Sequence, residues 1–313
     1  MSQPQTSSRI SVVICTRDRP QTLGQALRTV LAQDFDDFEV LVVDQSSGQE
    51  TRQLVEAIAA TSTRLRYLRL DRPGLSRAYN AGIQETGGEL LAFTDDDVTV
   101  PAGWLSSVAS AFTGFPAASL LYGQVLLPPE LAARENRDGV TPALPIPERR
   151  LLDREHGFRL FGMGANFAAR RDLFRRIGGF DEILGGGGPL QSSQDFDLMY
   201  RAFQGGASTL LEPDVVVYHH GFRSHGGEWA ATVRSYGVGV GGFFAKHVRT
   251  GDPFAAWLLF RCLAGTAARV VKQVLLRRPA ATSWTYLTNI LAGVYRSFQF
   301  PVDRRLRLYR VQP

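Results

Sequence analysis

Residues 89–101 read ELLAFTDDDVTVP, an apolar run that climbs into three consecutive aspartates, Asp95, Asp96 and Asp97, and then a proline. Adjacent carboxylates repel, and partial burial strengthens the repulsion, so the arrangement calls for a positive partner. In an extended segment residues two apart point the same way, which gives Asp95 and Asp97 a common face and sends Asp96 elsewhere. Two oxygen ligands on one face, with room for water and phosphate oxygens, describe a Mg2+ or Mn2+ site completed by substrate. The plainer account is that one aspartate caps the helix after Pro101 while the others are solvated. Placement at the end of a fourth strand favours the metal.

Four strand–helix alternations deliver those acids. ISVVIC (residues 10–15) is a β-branched run suited to a buried parallel strand, followed by the polar turn TRDRP and a helical pattern from Gln21 to Ala32. FEVLVVDQSS repeats the plan, with a polar break at Asp44 and a helix over Thr51–Ala60. RLRYLRL is a third strand, and GLSRAYNAGIQETGG a helix that stops at Gly87 and Gly88. Such alternation predicts an α/β fold, a Rossmann-like, mostly parallel sheet flanked by helices. Ligands bind such sheets beyond the carboxyl ends of the strands, where Thr16, Arg17, Asp44, Gln45 and the three aspartates all fall.

Farther on, a helix to Phe112 precedes a strand near SLLYGQVLL, and residues 128–150 read as an irregular, proline-rich excursion. ILGGGGPLQSS reads as a mobile loop, QDFDLMYRAFQGG as a helix and TLLEPDVVVYHHG as a last strand. The remainder is helical. On Ala255–Arg278 the polar positions Arg261, Arg269, Lys272 and Gln273 form one stripe, while Trp284, Leu287, Leu291, Val294 and Phe298 define an apolar face. No glycine-rich phosphate fingerprint follows the first strand, which argues against hydride and P-loop chemistry.

Charge is unevenly divided. From Lys246 onward twelve Lys or Arg stand against two Asp, a net of +10, while the whole chain carries +5, leaving −5 on residues 1–245. A basic tail on an acidic body suits an anionic surface. The C-terminal helices fit an in-plane anchor on anionic membrane, and equally fit packing on the catalytic body with the same faces buried. Nothing beyond charge supports nucleic-acid binding, and none is expected. Two cysteines in 313 residues, an N-terminus (MSQPQTSSRI) without an apolar stretch and no run of 18 apolar residues predict a cytoplasmic protein, at most peripheral on the membrane's cytoplasmic face, without an ordinary transmembrane helix.

In series, SVVICTRDRP, LVVDQSS, GLSRAYNAGIQETGGELLAFTDDDV, GANFAARRDLFRRIGGFDE, SSQDFDLMYRA and VVVYHHG resemble the family 2 glycosyltransferases, inverting, nucleotide-sugar-dependent enzymes of the A-type fold. The resemblance covers roughly residues 9–221 and implies a catalytic domain over residues 9–225, with a basic helical extension over 226–313. It implies that Thr16, Arg17, Asp44 and Arg77 line the nucleotide pocket with Gln45, that Asp95 and Asp96 lie along the donor, and that Asp97 and His219, with His220 as a possible substitute, hold the metal. Asp195 would be the general base and Asn166 would face the acceptor, a glycan or a lipid-linked glycan. Plainer roles exist for each: a helix cap for Asp195, with Asp197 as rival base or arginine partner; a satisfied strand-end histidine for His219; a buried, loop-holding amide for Asn166.

Two departures from the family pattern stand out. Gln45 replaces a common second acid, leaving base preference open, and Gln194 replaces the usual Glu before the base, which should ease ionisation of Asp195. A helix N-terminus at Asp195 would act the same way. The rival functions are a sugar-phosphate nucleotidyltransferase, which would need a glycine-rich basic turn where TRDRP stands, and a non-catalytic nucleotide- or sugar-binding module.

Overall fold

A computed structural model describes residues 9–131, 139–159, 162–224 and 227–311. The N-terminal half follows the expected alternation: β1 (Ile10–Thr16), α1 (Pro20–Leu31), β2 (Phe38–Asp44), α2 (Glu50–Ala59), β3 (Leu65–Arg69), α3 (Leu75–Glu85) and β4 (Leu90–Asp95). Local chemistry accounts for these elements. Every residue of β1 and β2 is buried, as continuous β-branched runs demand in a sheet covered on both faces. Pro20 opens α1, where its missing N–H is harmless, and Leu23, Leu27 and Val30 give the helix one buried stripe.

Past Asp97 come β5 (Val98–Thr99), α4 (Trp104–Gly114), β6 (Ala118–Leu126), β7 (Gly139–Val140), β8 (Arg150–Leu152), β9 (Asn166–Arg170), α5 (Arg171–Ile177), α6 (Gln194–Gln204), β10 (Ser208–His219) and β11 (Arg223–Ser224). The main sheet runs β3-β2-β1-β4-β9-β6-β10-β5, with β8 on the edge of β10. β1 to β4 pair in parallel, as do β6 and β10, but β9 lies antiparallel between β4 and β6. The sheet is therefore mixed beyond its fourth strand. Two apolar clusters fill its faces, one built on Leu23, Leu27, Trp104 and Phe112, the other on Tyr79, Phe93, Phe167, Phe174 and Phe180.

The two-residue β5 matters most for function. It pairs antiparallel with the end of β10, setting His219 opposite Val98, so the last strand of the body returns to the acids that end β4.

Three helices follow, α7 (Gly227–Arg249), α8 (Pro253–Leu275) and α9 (Ala281–Ser297), then a small hairpin of β12 (Val302–Asp303) and β13 (Leu308–Tyr309). α7 and α9 press backbone to backbone: a Cβ on Gly241 would stand 2.0 Å from the Ile290 carbonyl oxygen, and one on Gly293 would stand 2.1 Å from that of Val238. Asp252 caps α8 by accepting from the N–H groups of Phe254 and Ala255. α7 buries Val238, Phe243 and Phe244 against Ile183, Leu184, Leu190 and Tyr200 of the body.

α9 buries Ser283, Ile290, Gly293 and Ser297, leaving Trp284, Leu291 and Phe298 of its expected apolar face exposed. Leu287 and Val294 of that face are half-buried, so packing covers it only in part. α8 is also mostly exposed and, among the described residues, is the one helix long and apolar enough by length and composition to cross a membrane, which the absence of an uninterrupted apolar run had argued against. The expected domain boundary at residues 225/226 lies outside the described residues.

Candidate active site

Strand ends meet in a cleft of about 410 Å3 lined by Thr16, Arg17, Arg19, Gln45, Asp95, Asp96, Asp97, His219 and Arg223, with Gly186 and Gly187 on one wall. Asp96 is buried; its Oδ2 accepts the Thr16 hydroxyl at 2.6 Å. The positive partner that three acids call for is Arg19: its Nη1 stands 3.3 Å from Asp96 Oδ1 and 3.4 Å from Asp97 Oδ2. Arg17, the arginine expected here, lines the cleft but pairs with its exposed neighbour Asp18.

One arginine is not enough. Burial, then the charges of Asp97 and Asp96, push the Asp95 carboxyl up to about 8, and burial pushes Asp96 up to about 6 despite the Thr16 hydrogen bond. Asp95, Asp97 and His219 each offer a ligand atom, all within 4.8 Å of one another. Two carboxylates and an imidazole are a donor set suited to Mn2+ or Mg2+.

Two further observations fit a cation there. His219 Nε2 stands 3.4 Å from Asp97 Oδ1, and burial lowers the ring below its usual range, which favours the neutral form that donates a lone pair. Gly221 leaves the flank open: a Cβ would sit 2.5 Å from Asp97 Oδ2 and 2.6 Å from His219 Cε1. His220 points elsewhere, its Nε2 bonded to the Thr99 hydroxyl at 2.9 Å, so the two histidines are not interchangeable.

Asp195 sits half-buried in the first turn of α6. Its Oδ2 accepts the Gly164 N–H at 3.2 Å and its Oδ1 the Phe196 N–H at 2.9 Å. Contrary to the ease of ionisation expected from Gln194 and the helix terminus, burial raises its carboxyl above the ordinary range, and the backbone donors only partly oppose this. Buried Tyr79 joins the two halves of the site. Its hydroxyl reaches Asp95 Oδ1 at 3.5 Å, and a Cβ on Gly164 would stand 3.8 Å from that hydroxyl and 3.7 Å from Asp195 Oδ2. Asp197 is no rival base, because it is fully buried against Arg201 Nε at 2.8 Å.

Several expected site residues lie apart from the cleft. Asp44 is sealed: its oxygens accept from the Ser46 N–H at 2.8 Å and the Tyr67 hydroxyl at 2.7 Å, with Arg69 at 3.5 Å. Arg77 is half-buried, pairs with Glu182 at 3.0 Å and does not line the cleft. Asn166 does not face an acceptor; it is buried in the sheet, donating to the carbonyls of Gln124 and Val215 and accepting from the Trp104 indole. An amide fully consumed by a mixed sheet is a structural residue. Gln45 lines the cleft while tying down the loop before α3 through Arg72 and Gly74.

The glycine run expected to be a mobile loop forms a hydrogen-bonded wall of the cleft: the Gly186 carbonyl accepts the Leu75 N–H at 2.7 Å, and Gly185 and Gly187 adopt positive φ. Arg19, Tyr79, Gly221, Arg223 and this wall were not singled out from sequence. Only the demand for a cation beside three acids pointed to Arg19, and TRDRP offers two arginines.

Comparison with known proteins agrees with this architecture. The model of the glycosyl transferase family 2 matches residues 11–178, more than half of the chain. Among curated proteins, the chain is 27% identical over 197 residues to a pre-mycofactocin glycosyltransferase of Mycobacterium tuberculosis, covering 59% of this chain and 40% of that one. It is 30% identical over 220 residues to a validoxylamine A glucosyltransferase of Streptomyces hygroscopicus, covering 61% and 50%. The chain thus spans about half the length of these relatives. Among solved structures, a mannosyltransferase from Pyrobaculum calidifontis in complex with GDP-Man and Mn2+ superposes with a TM-score of 0.61 at 20% identity, covering 94% of this chain and 88% of that one. S. aureus TarS 1-349 with UDP-GlcNAc gives 0.55 at 20% identity, covering 74% and 66%. At such identity these structures speak for the fold.

Proposed function

The chain belongs to glycosyltransferase family 2, and from this premise we propose that it moves one sugar from a nucleoside-diphosphate donor to a glycan or lipid-linked acceptor, with inversion at the anomeric carbon. The observation that carries the reading is the meeting of Asp95, Asp97 and His219 at one end of a cleft whose other strand-end groups suit a nucleotide. Asp97, His219 and Asp95 would hold Mn2+ or Mg2+, which when bound supplies Lewis-acid stabilisation of the charge that develops on the departing diphosphate.

The chain's own groups do the rest. Thr16, Gln45 and the Gly186–Gly187 wall bound the nucleotide, and Arg17, Arg19 and Arg223 supply positive charge around its phosphates. Asp195 takes the proton of the acceptor hydroxyl at Oδ1 or Oδ2 as the new bond forms. A carboxyl raised by burial is a stronger base than an exposed one, which suits late proton transfer near neutral pH. One base on the side opposite the leaving group means a single displacement, hence inversion. Tyr79 donates a long hydrogen bond, 3.5 Å, to Asp95 on the side of the site toward Asp195.

The acceptor side extends to the C-terminal helices. No acid occurs between Asp252 and Asp303, whereas Arg261, Arg269, Lys272, Arg277, Arg278 and Arg296 are all exposed there. Trp257, Phe260, Trp284, Tyr295 and Phe298 are exposed on the same two helices. This composition supports α8 and α9 lying on an anionic lipid surface, the cytoplasmic face of a membrane, where a lipid-linked acceptor would be presented. Sedimentation with anionic vesicles tests it: the protein should pellet at low salt, and wholly soluble protein would refute the lipid contact.

Turnover of a panel of nucleotide sugars with Mn2+ tests the reaction. Nucleotide release that depends on both donor and acceptor supports transfer, while donor binding without turnover across the panel would leave a non-catalytic binding module.

A further inference from the structure

Arg19 stands where a second cation would be in the way. Its guanidinium engages Asp96 and Asp97 together, at 3.3 and 3.4 Å, and Asp97 is also one of the three groups placed to hold a metal. The arginine is not locked: its side chain is 58% exposed, and the acids of this corner are its only ion-pair partners among the described residues. It is the N-cap of α1 through its carbonyl, which accepts the Leu23 N–H, but its side chain makes no cap hydrogen bond and can swing without disturbing the helix. Nearby Arg223 already faces the same cleft.

We infer that Arg19 is a resident counter-cation that competes with the divalent metal for Asp97 and, once displaced, turns onto the donor's diphosphate. The inference rests on the family reading above and adds to it a reason why metal and nucleotide would bind in a coupled way. Without metal, the guanidinium offsets part of the crowded negative charge. With metal present, Asp97 has a better partner, and a fork of N–H donors becomes available at the same mouth for phosphate oxygens. Removing the arginine should therefore have opposite signs on the two ligands. Metal alone should bind more tightly, because it no longer displaces a cation; nucleotide should bind more weakly, because it loses a phosphate partner.

Calorimetric titration of Mn2+ alone, then of UDP and GDP at saturating Mn2+, separates these effects in wild type and Arg19→Gln, with thermal melts verifying that both are folded. The expected result is a Kd for Mn2+ lowered about fivefold, the scale of an exposed ion pair. For whichever diphosphate binds wild type, Kd should rise about tenfold, the scale of a charge-assisted hydrogen-bond pair. Arg19→Lys, which keeps the charge without the fork, should leave Mn2+ affinity near wild type and still weaken the nucleotide. Mn2+ affinity unchanged or weakened in Arg19→Gln overturns the competition, and unchanged nucleotide affinity overturns the hand-over. Wild type that binds no Mn2+ at all would instead overturn the metal site itself.

Discussion

Asp195 and Asp197 lie two residues apart in the first turn of one helix, yet they live in opposite electrostatic worlds. Asp197 is fully buried and surrounded: Lys246 Nζ is 2.6 Å from its Oδ1, Arg201 Nε 2.8 Å from its Oδ2, and His247 Nε2 3.0 Å from Oδ1. Lys246 also reaches Asp181 at 2.6 Å, and Asp181 accepts the Tyr309 N–H, so the cluster sews α7 and the C-terminal hairpin to α6. Burial alone would raise the Asp197 carboxyl, but Lys246, Arg201 and His247 hold it far below the usual range. Among the described residues, Asp195 and the strand-end trio have no such cations apart from Arg19, and burial drives Asp95, Asp96 and Asp195 upward. A buried acid with its counter-charge inside the chain holds the fold together. One whose counter-charge must come from outside is a site.

That contrast can be broken from either side. Asp97→Ala should abolish metal-dependent donor turnover, by about four orders of magnitude if several kcal/mol of leaving-group stabilisation are lost, while the melting temperature stays near wild type. Retained turnover would remove Asp97 from the chemistry. For Asp195→Asn the expected loss in transfer is roughly 10²–10⁴-fold, with nucleotide binding by calorimetry unchanged; full transfer would end its assignment as base.

On the other side of the comparison, Lys246→Met should strip two buried acids of a cation and destabilise the protein by about 3–5 kcal/mol. Turnover below the lowered melting temperature should stay near wild type. A stable variant with poor turnover would mean that the cluster serves the site rather than the fold.

The subtlest expectation concerns pH. Asp197 has a depressed folded pKa, so its contribution is present above the ordinary carboxylate range and lost as pH falls below about 4. Asp95, raised to about 8, works the other way: the folded state binds the extra proton, so stability falls as pH rises from the carboxylate range through about 8. Denaturant midpoints measured from pH 5 to 9 should decline for wild type and decline less steeply for Asp95→Asn, with Asp96, raised to about 6, supplying part of what remains. Equal slopes would show that Asp95 is not the group responsible.

Much of the active corner is legible in the chain. Buried β-branched runs force strands, the connecting helices force parallel pairing, and both put Thr16 and the three aspartates at strand ends on one edge. His219 is indicated only by the family resemblance, since a histidine closing an apolar run is more often a satisfied one, whereas the repulsion among three acids by itself calls for a cation. Partner choice was not legible. Asp44 and Asn166 have the types and positions of site residues, yet Tyr67 seals one and an antiparallel β9 absorbs the other.

What the sequence determined by itself is therefore where polar groups leave the strands, since periodicity and turn chemistry act over a few residues. Tertiary structure alone decided which acid met a cation: Lys246 and His247 reach Asp197 across about fifty residues, while among the described residues no cation pairs with Asp195. Charge–charge energies depend on distance and burial in space, and neither is written in local spacing.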